Sequence, residues 1–183
     1  MEPKDIVRRL VDANALTVLI DGRSGSGKTT LATALQHTWK ASVLVHLDDI
    51  YPGWDGLQAA TEHIHTGVLL PRSEGQPGRW RRWDWTIGAA AEWHSIAPDQ
   101  PLIIEGAGAL TAANRALADF GIWVECPELV RKQRALGRDG AGYAAYWDQW
   151  AAQEDDHIAH HQPQSVADII VTGNPPTNVV PPA

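Results

Sequence analysis

Short apolar runs alternate along this chain with longer stretches in which apolar residues recur every three or four positions. The short runs are Leu16 to Ile20, Ser42 to Leu47, Leu102 to Gly106, Ile122 to Glu125 and Ala167 to Thr172. Each is apolar on both faces and several are rich in β-branched residues, the pattern of a strand covered on both sides. The longer periodic stretches predict helices at Lys4 to Asn14, at about Lys28 to Lys40 with Leu31, Ala34 and Leu35 inward, and at Leu57 to Thr66. Further helices are predicted at Ala109 to Phe120, from Pro127 to about Gly137, and at Tyr143 to His160. Strands alternating with helices call for a five-stranded parallel sheet with helices on both faces, an α/β fold in a single domain spanning residues 1–183.

The stretch between the second and third runs is less regular. Pro52 to Gly56 reads as a turn, about Pro71 to Arg79 as an ordered irregular loop, and Glu92 to Ile96 as either helix or short strand. An extended Arg81 to Trp85 would place Arg81, Trp83 and Trp85 on one side and Arg82 and Asp84 on the other. After the last strand, Gly173-Asn174 suits a turn bordering an adenine, and the proline-rich tail from 174 to 183 is expected to fray.

Composition narrows the function classes. The net charge of −7 argues against a general nucleic-acid binder. No apolar run approaches membrane-spanning length, and the charged start is unlike a signal peptide. One cysteine, Cys126, excludes an internal disulfide framework and points to a reducing, cytoplasmic setting. Nine tryptophans against one phenylalanine is an unusual balance, and Trp54, Trp80, Trp83 and Trp85 fall close together, as an aromatic site would require.

The chemistry starts at Gly22-Arg-Ser-Gly-Ser-Gly-Lys-Thr29, which fits G-x-x-x-x-G-K-[ST] between a strand and a helix. Such a loop turns the backbone N–H groups of Gly22, Ser24, Gly25, Ser26 and Gly27 toward one point and adds the positive end of a helix. With Lys28, Thr29 and Thr30 these residues form a candidate nucleotide site, Lys28 serving the β- and γ-phosphates and the Thr29 hydroxyl a Mg²⁺ ion. Asp48, Asp49 and Glu105 lie at strand ends, where an open parallel sheet places its ligands. Arg131, Arg134 and Arg138 sit at i, i+3 and i+7, so one helix face would carry three guanidiniums that repel unless an anion lies among them. Gly137 and Gly140 flank the last one, suiting a short lid at about 131–142. His157, His160 and His161 read as a solvated helix end.

On these residues the chain resembles the uridine kinase-like branch of the P-loop kinases. The carrying elements are the Gly22 to Thr29 loop, Asp48-Asp49-Ile50-Tyr51 after the second strand, Ile104-Glu105-Gly106, and spaced arginines ending in Arg138-Asp139. The resemblance implies a P-loop NTPase three-layer α/β/α fold, Asp48 as base toward the acceptor hydroxyl, Tyr51 in the acceptor pocket, and Glu105 near the metal. Trp83-Asp84-Trp85 corresponds to the family's aromatic acceptor motif. The expected activity is therefore an ATP- and Mg²⁺-dependent kinase acting on a small-molecule hydroxyl, a nucleoside-like acceptor first. Arg131, Arg134 and Arg138 would neutralise the moving charge, and Trp83 and Trp85 would stack an acceptor ring whose polar edge meets Arg82 or Asp84, with Asp49 alongside. The paired Asp48-Asp49 is also similar to the Asp-Asp of gluconate kinases, leaving a sugar kinase or antibiotic phosphotransferase open. A nucleotide-dependent switch without a small-molecule acceptor is the reading from another class. No nucleic-acid or membrane partner is expected, and the working unit is a monomer or homodimer.

Overall fold

A computed structural model of the chain describes residues 3–172; the turn and tail expected from residue 173 onward lie outside the described residues. Five parallel strands form the central sheet: β1 (Thr17–Asp21), β2 (Val43–His46), β5 (Leu102–Glu105), β6 (Phe120–Glu125) and β7 (Ile169–Thr172), in the order β2-β5-β1-β6-β7. Pairing is in simple register, with Leu19 beside Ile104 on one flank and beside Gly121 on the other.

Period-two alternation on these strands feeds two cores. Val18, Ile20, Ile103, Ile122 and Val124 pack with Ile6 and Leu10 of α1 (Pro3–Asp12) and with Ala32 and Leu35 of α2 (Lys28–Thr38). Leu31 is only partly buried against this core, and Ala34 is half-buried, so the inward face of α2 is centred on Ala32 and Leu35. Leu19, Val45, Leu102 and Ile104 face the other way, toward α3 (Leu57–Ile64) and α7 (Trp147–His161). Burying each such aliphatic side chain is worth about 1.5–3 kcal/mol, so both sheet faces hold the layers in place. The remaining helices are α4 (Leu70–Ser73), α5 (Ala112–Ala116), α6 (Glu128–Ala144) and α8 (Pro163–Val166). Among the described residues no helix is long and apolar enough to cross a membrane.

Several elements depart from the sequence pattern for identifiable reasons. The helix expected to end at Thr66 passes through a π-helical turn at His65–Leu69 and continues as α4 to Ser73. Pro71 lies directly behind the π-helical turn, where the regular i→i−4 ladder is already interrupted. Arg72, buried on α4, ties this segment down by donating to the carbonyls of Ala97 and, at 2.7 Å, Gln100. The ambiguous stretch before Ile96 is a strand: β3 (Gly78–Asp84) and β4 (Ala89–Ile96) form an antiparallel hairpin outside the main sheet. Register shifts between Arg81 and Trp83, and Trp85 lies in the turn, so Arg81, Trp83 and Trp85 do not share a face as simple alternation predicts.

The helix predicted from Ala109 to Phe120 shrinks to α5. Gly108 and Leu110 give their N–H groups to Asp21 instead of to a helical turn, and Thr111 caps the short helix by accepting from the Asn114 N–H at 3.0 Å. Pro127 is the N-cap of α6 rather than its first residue, and α6 runs past Gly137 to Ala144 with one non-helical residue, Gly140. Consequently α7 starts at Trp147, four residues later than the periodicity suggests.

Candidate active site

The loop from Gly22 to Gly27 links β1 to α2 and is drawn tight against its neighbours. Gly22 and Gly25 have positive φ, and a Cβ on either would collide with the Val124 or the Arg131 carbonyl oxygen. Only glycine satisfies both the conformation and the clearance. The carboxylate of Asp21, 1 % exposed, anchors the start of the loop. Its Oδ1 accepts from the N–H groups of Gly22 at 2.6 Å and Gly108 at 3.2 Å, its Oδ2 from Leu110 at 2.8 Å, and His157 Nε2 lies 3.2 Å from Oδ2. His157 is therefore a buried structural histidine and not part of a solvated helix end; His160 remains exposed and His161 half-buried.

Helix α2 opens at Lys28 behind Gly27, which leaves the N–H groups of its first turn pointing at the loop's concavity. Lys28 is buried and donates its Nζ proton to the Arg23 carbonyl at 3.2 Å, across the loop. Ser26 is fully buried, and its Oγ has no partner among the described residues. Thr29 donates its hydroxyl to Glu105 Oε1 at 2.9 Å, and the same oxygen meets His46 Nδ1 at 2.6 Å.

The acidic pair across the cleft has opposed electrostatics. Burial alone would raise Glu105, but the His46 hydrogen bond, the Lys28 charge and the Thr29 hydroxyl together bring its carboxyl below the ordinary range. The same bond to Glu105 raises the His46 imidazole against the opposing effect of burial. Asp48 behaves oppositely: the protein mass around it, then the Glu105 charge, raise its carboxyl, and the cations Lys28 and Arg138 only partly compensate. Asp48 reaches water through the open cleft while its surroundings are mostly protein, which reconciles its exposure with this shift.

Two contiguous cavities meet at Asp48. One, of about 190 Å³, is lined by the phosphate loop with Lys28, Thr29, Asp48, Glu105, Arg134 and Arg138. The other, of about 560 Å³, is lined by Tyr51, Trp54, Trp85, Tyr143 and Trp150, with Ser24, Asp48 and Arg138 at its mouth. Trp54 stacks on Tyr143 and Tyr146 with ring centroids 5.4 and 4.6 Å apart, and lies 5.0 Å from the Trp85 ring. Trp85 donates its indole N–H to the Asp48 carbonyl at 2.8 Å. Tyr51 donates its hydroxyl to the Ala107 carbonyl at 2.8 Å, and burial pushes its phenol well above the usual value.

The structure brings most of the sequence-derived residues together and separates others. The loop residues Ser24, Gly25, Gly27, Lys28, Thr29 and Thr30 line the first cavity with Asp48, Glu105, Arg134 and Arg138. Arg131 does not: it is 3 % exposed and donates to the Ser24 carbonyl at 3.1 Å, bracing the loop from behind. Asp49 follows Asp48 in a 3₁₀ turn (Leu47–Asp49), half-buried and outside both cavity linings. Of Arg82, Trp83, Asp84 and Trp85, only Trp85 reaches the cleft. Arg82 is held by Glu92, with Nε to Oε1 at 2.6 Å, and by Asp84 at 3.3 Å. Asp84 also caps the Thr86 N–H at 2.9 Å, and Trp83 lies in a separate shallow depression with Trp93. The aromatic wall contributed by Tyr143 and Trp150 was not found from the sequence, and neither was His46; no local motif marks them.

The donor set suits a hard cation beside phosphate. Thr29, Glu105 and Asp48 offer only oxygen, and Mg²⁺ needs just one or two carboxylates because waters and phosphate oxygens complete its shell. Among the described residues no cluster of three His, Cys, Asp or Glu side chains is arranged to hold a metal.

The parallel sheet order and the glycine loop between its central strand and a helix define a three-layer α/β/α fold of the P-loop type. Two of the solved structures that the chain resembles illustrate it. One is a "possible uridine kinase" from Bacillus stearothermophilus, 21 % identical, with a TM-score of 0.63 over 93 % of this chain and 100 % of that one. The other is a "putative fructose transport system kinase" from Silicibacter sp. TM1040, 19 % identical, with a TM-score of 0.52 over 91 % of each chain. The resemblance drawn from the sequence is thus met at the level of the fold. No protein-family model matches the chain, and no curated protein matches it.

Proposed function

We propose that the chain is an ATP- and Mg²⁺-dependent phosphotransferase that phosphorylates a hydroxyl of a small molecule carrying a flat ring, nucleoside-like compounds first. The observation that carries this reading is the position of Asp48, on the shared wall between a phosphate-sized cavity and an aromatic one. The loop amides and Lys28 would hold the triphosphate in the cavity that Asp48 also lines. Thr29 and Glu105 would hold Mg²⁺, with Asp48 beside them, and the ion would supply positive charge to offset the phosphate oxygens.

Asp48 accepts the proton of the acceptor hydroxyl as its oxygen attacks the γ-phosphorus. The bond from that phosphorus to the bridging oxygen breaks, and ADP leaves with the electron pair. Burial and the neighbouring Glu105 charge raise the Asp48 carboxyl, which makes Asp48 a stronger base than an ordinary aspartate. Arg134 and Arg138, at the cavity wall, balance the charge on the oxygens in transit. The acceptor ring stacks in the wall of Trp54, Trp85 and Trp150.

The test joins a ligand screen to one substitution. With Mg²⁺ and a non-hydrolysable ATP analogue present, a nucleoside should raise the thermal midpoint while hexoses and gluconate do not. With that nucleoside as acceptor, Asp48→Asn should bind ATP within a few-fold of the parent and lose transfer by about a thousandfold. Near-normal turnover in the variant removes Asp48 from the mechanism, and stabilisation by sugars alone replaces the ring-bearing acceptor with a polyol.

A further inference from the structure

Helix α7 lies far from the phosphate loop in sequence, yet it grips the loop and the aromatic wall at once. Glu154, 2 % exposed, accepts the Ser24 N–H on Oε1 at 2.7 Å and the Arg23 Nε proton on Oε2 at 3.1 Å. One turn earlier on the same helix, Trp150 donates its indole N–H to that same Oε1 at 3.1 Å. The Trp150 ring lines both cavities and meets Tyr51 edge-on, with centroids 4.6 Å apart. Between them Gln153 donates to the Trp54 carbonyl at 2.6 Å.

A buried carboxylate next to a loop that receives polyphosphate is unfavourable by simple charge, since the two anions repel. Arg23 offsets that charge, but an apolar residue at position 154 would avoid the conflict altogether. What an apolar residue cannot do is hold a loop amide and a cleft-wall indole on one oxygen. Any shift of Ser24 as phosphate enters changes the Glu154 geometry, and through it the Trp150 indole, whose ring meets that of Trp54 edge-on with centroids 6.4 Å apart.

We infer that Glu154 is a positioning residue through which filling of the phosphate loop reorganises the aromatic acceptor wall. The inference rests on the nucleotide-binding reading above, and it adds a link between the two half-sites. It is tested on the full chain with Mg·ADP as the probe. Affinity is read by calorimetry, and the wall by ¹⁹F spectra of protein carrying 5-fluorotryptophan, with the Trp54 resonance assigned from Trp54→Phe.

In the parent, saturating Mg·ADP should move the Trp54 resonance. Glu154→Gln should weaken Mg·ADP by about tenfold, the scale of a charge-assisted hydrogen bond, and should leave the Trp54 resonance unmoved even at saturation. Asp155→Asn removes the second, exposed partner of Arg23, at 2.7 Å, and should change affinity less than about twofold. Trp150→Phe keeps Glu154 charged and removes the indole donor together with part of the ring that lines both cavities, and it too should silence the Trp54 response. A Trp54 shift that survives in Glu154→Gln or in Trp150→Phe overturns the link, whatever the stability of the other variant. A parent protein that binds no Mg·ADP removes the nucleotide reading and this inference with it.

Discussion

The two walls of the cleft are built in opposite ways. The phosphate side is a single run of chain from Gly22 to Thr30 whose working groups are mostly backbone N–H, fixed by glycine conformation and by the Asp21 carboxylate beneath. The acceptor side is assembled from side chains on separate elements: Trp54 before α3, Trp85 in the hairpin turn, Tyr143 at the end of α6 and Trp150 on α7. A backbone cradle tolerates no change in its own residues and little in what it binds. A wall of stacked rings is adjustable one residue at a time, so under the proposed function the acceptor could change while the loop stays fixed.

The sharpest test of that contrast is Lys28→Ala, which should lower transfer by a thousandfold or more, in the range of about 3–4 kcal/mol for a lost transition-state donor. Single-turnover rates at saturating ATP separate this from weaker binding. Next come the arginines. Arg138→Ala should reduce kcat about a hundredfold. Arg131→Ala, which removes a buried brace on the Ser24 carbonyl, should instead cost about 1–3 kcal/mol of folding stability, read by urea denaturation. Equal kinetic losses in both would restore a three-arginine cluster over the phosphate and break the distinction between lining and bracing. On the other wall, Trp54→Ala should raise the acceptor KM by tenfold or more, because stacking and ring burial together amount to about 1.5–3 kcal/mol. Trp83→Ala, outside the cleft, should stay within about twofold.

The smallest effect concerns pH. Asp48 must be ionised to take a proton, and its folded carboxyl lies above the usual 3.8, so the acid limb of kcat/KM should fall above that value. Stability runs the other way. A raised carboxyl means that the folded state holds more protons than the unfolded chain, so stability rises as pH falls through the folded value and is lower at neutral pH. Asp48→Asn should therefore melt above the parent at pH 7, with the gap closing in acid; thermal scans across pH check the sign.

What the sequence made legible follows the same divide. The phosphate loop and the buried strands could be read because each is contiguous and its residues dictate its own backbone. The aromatic wall could not, since Trp54 and Trp150 meet only after α7 has packed over the sheet; of the tryptophans clustered in sequence, Trp54 and Trp85 line the larger cavity with Trp150, and Trp83 lies elsewhere. His157 was misread because its partner, Asp21, is 136 residues away. Arg131 shares a helical face with Arg138 in projection, but the first turn of α6 is pressed against the underside of the loop, so equal spacing does not give equal access. The β-bulge between Arg81 and Trp83 defeated strict alternation in the same way.

The break in α6 carries a consequence for how this segment tolerates mutation. Gly140 has φ 66° and ψ −152°, a backbone state nearly closed to other residues, while nothing lies within 4 Å of a Cβ built there. Gly137 and Gly142 are equally unobstructed but have no such φ. In a saturation library, alanine at 137 or 142 should be neutral or gain up to about 1 kcal/mol of helix propensity. Position 140 should reject nearly every replacement despite the open space around its Cβ, the signature of a site constrained by its torsion angles and not by side-chain clearance.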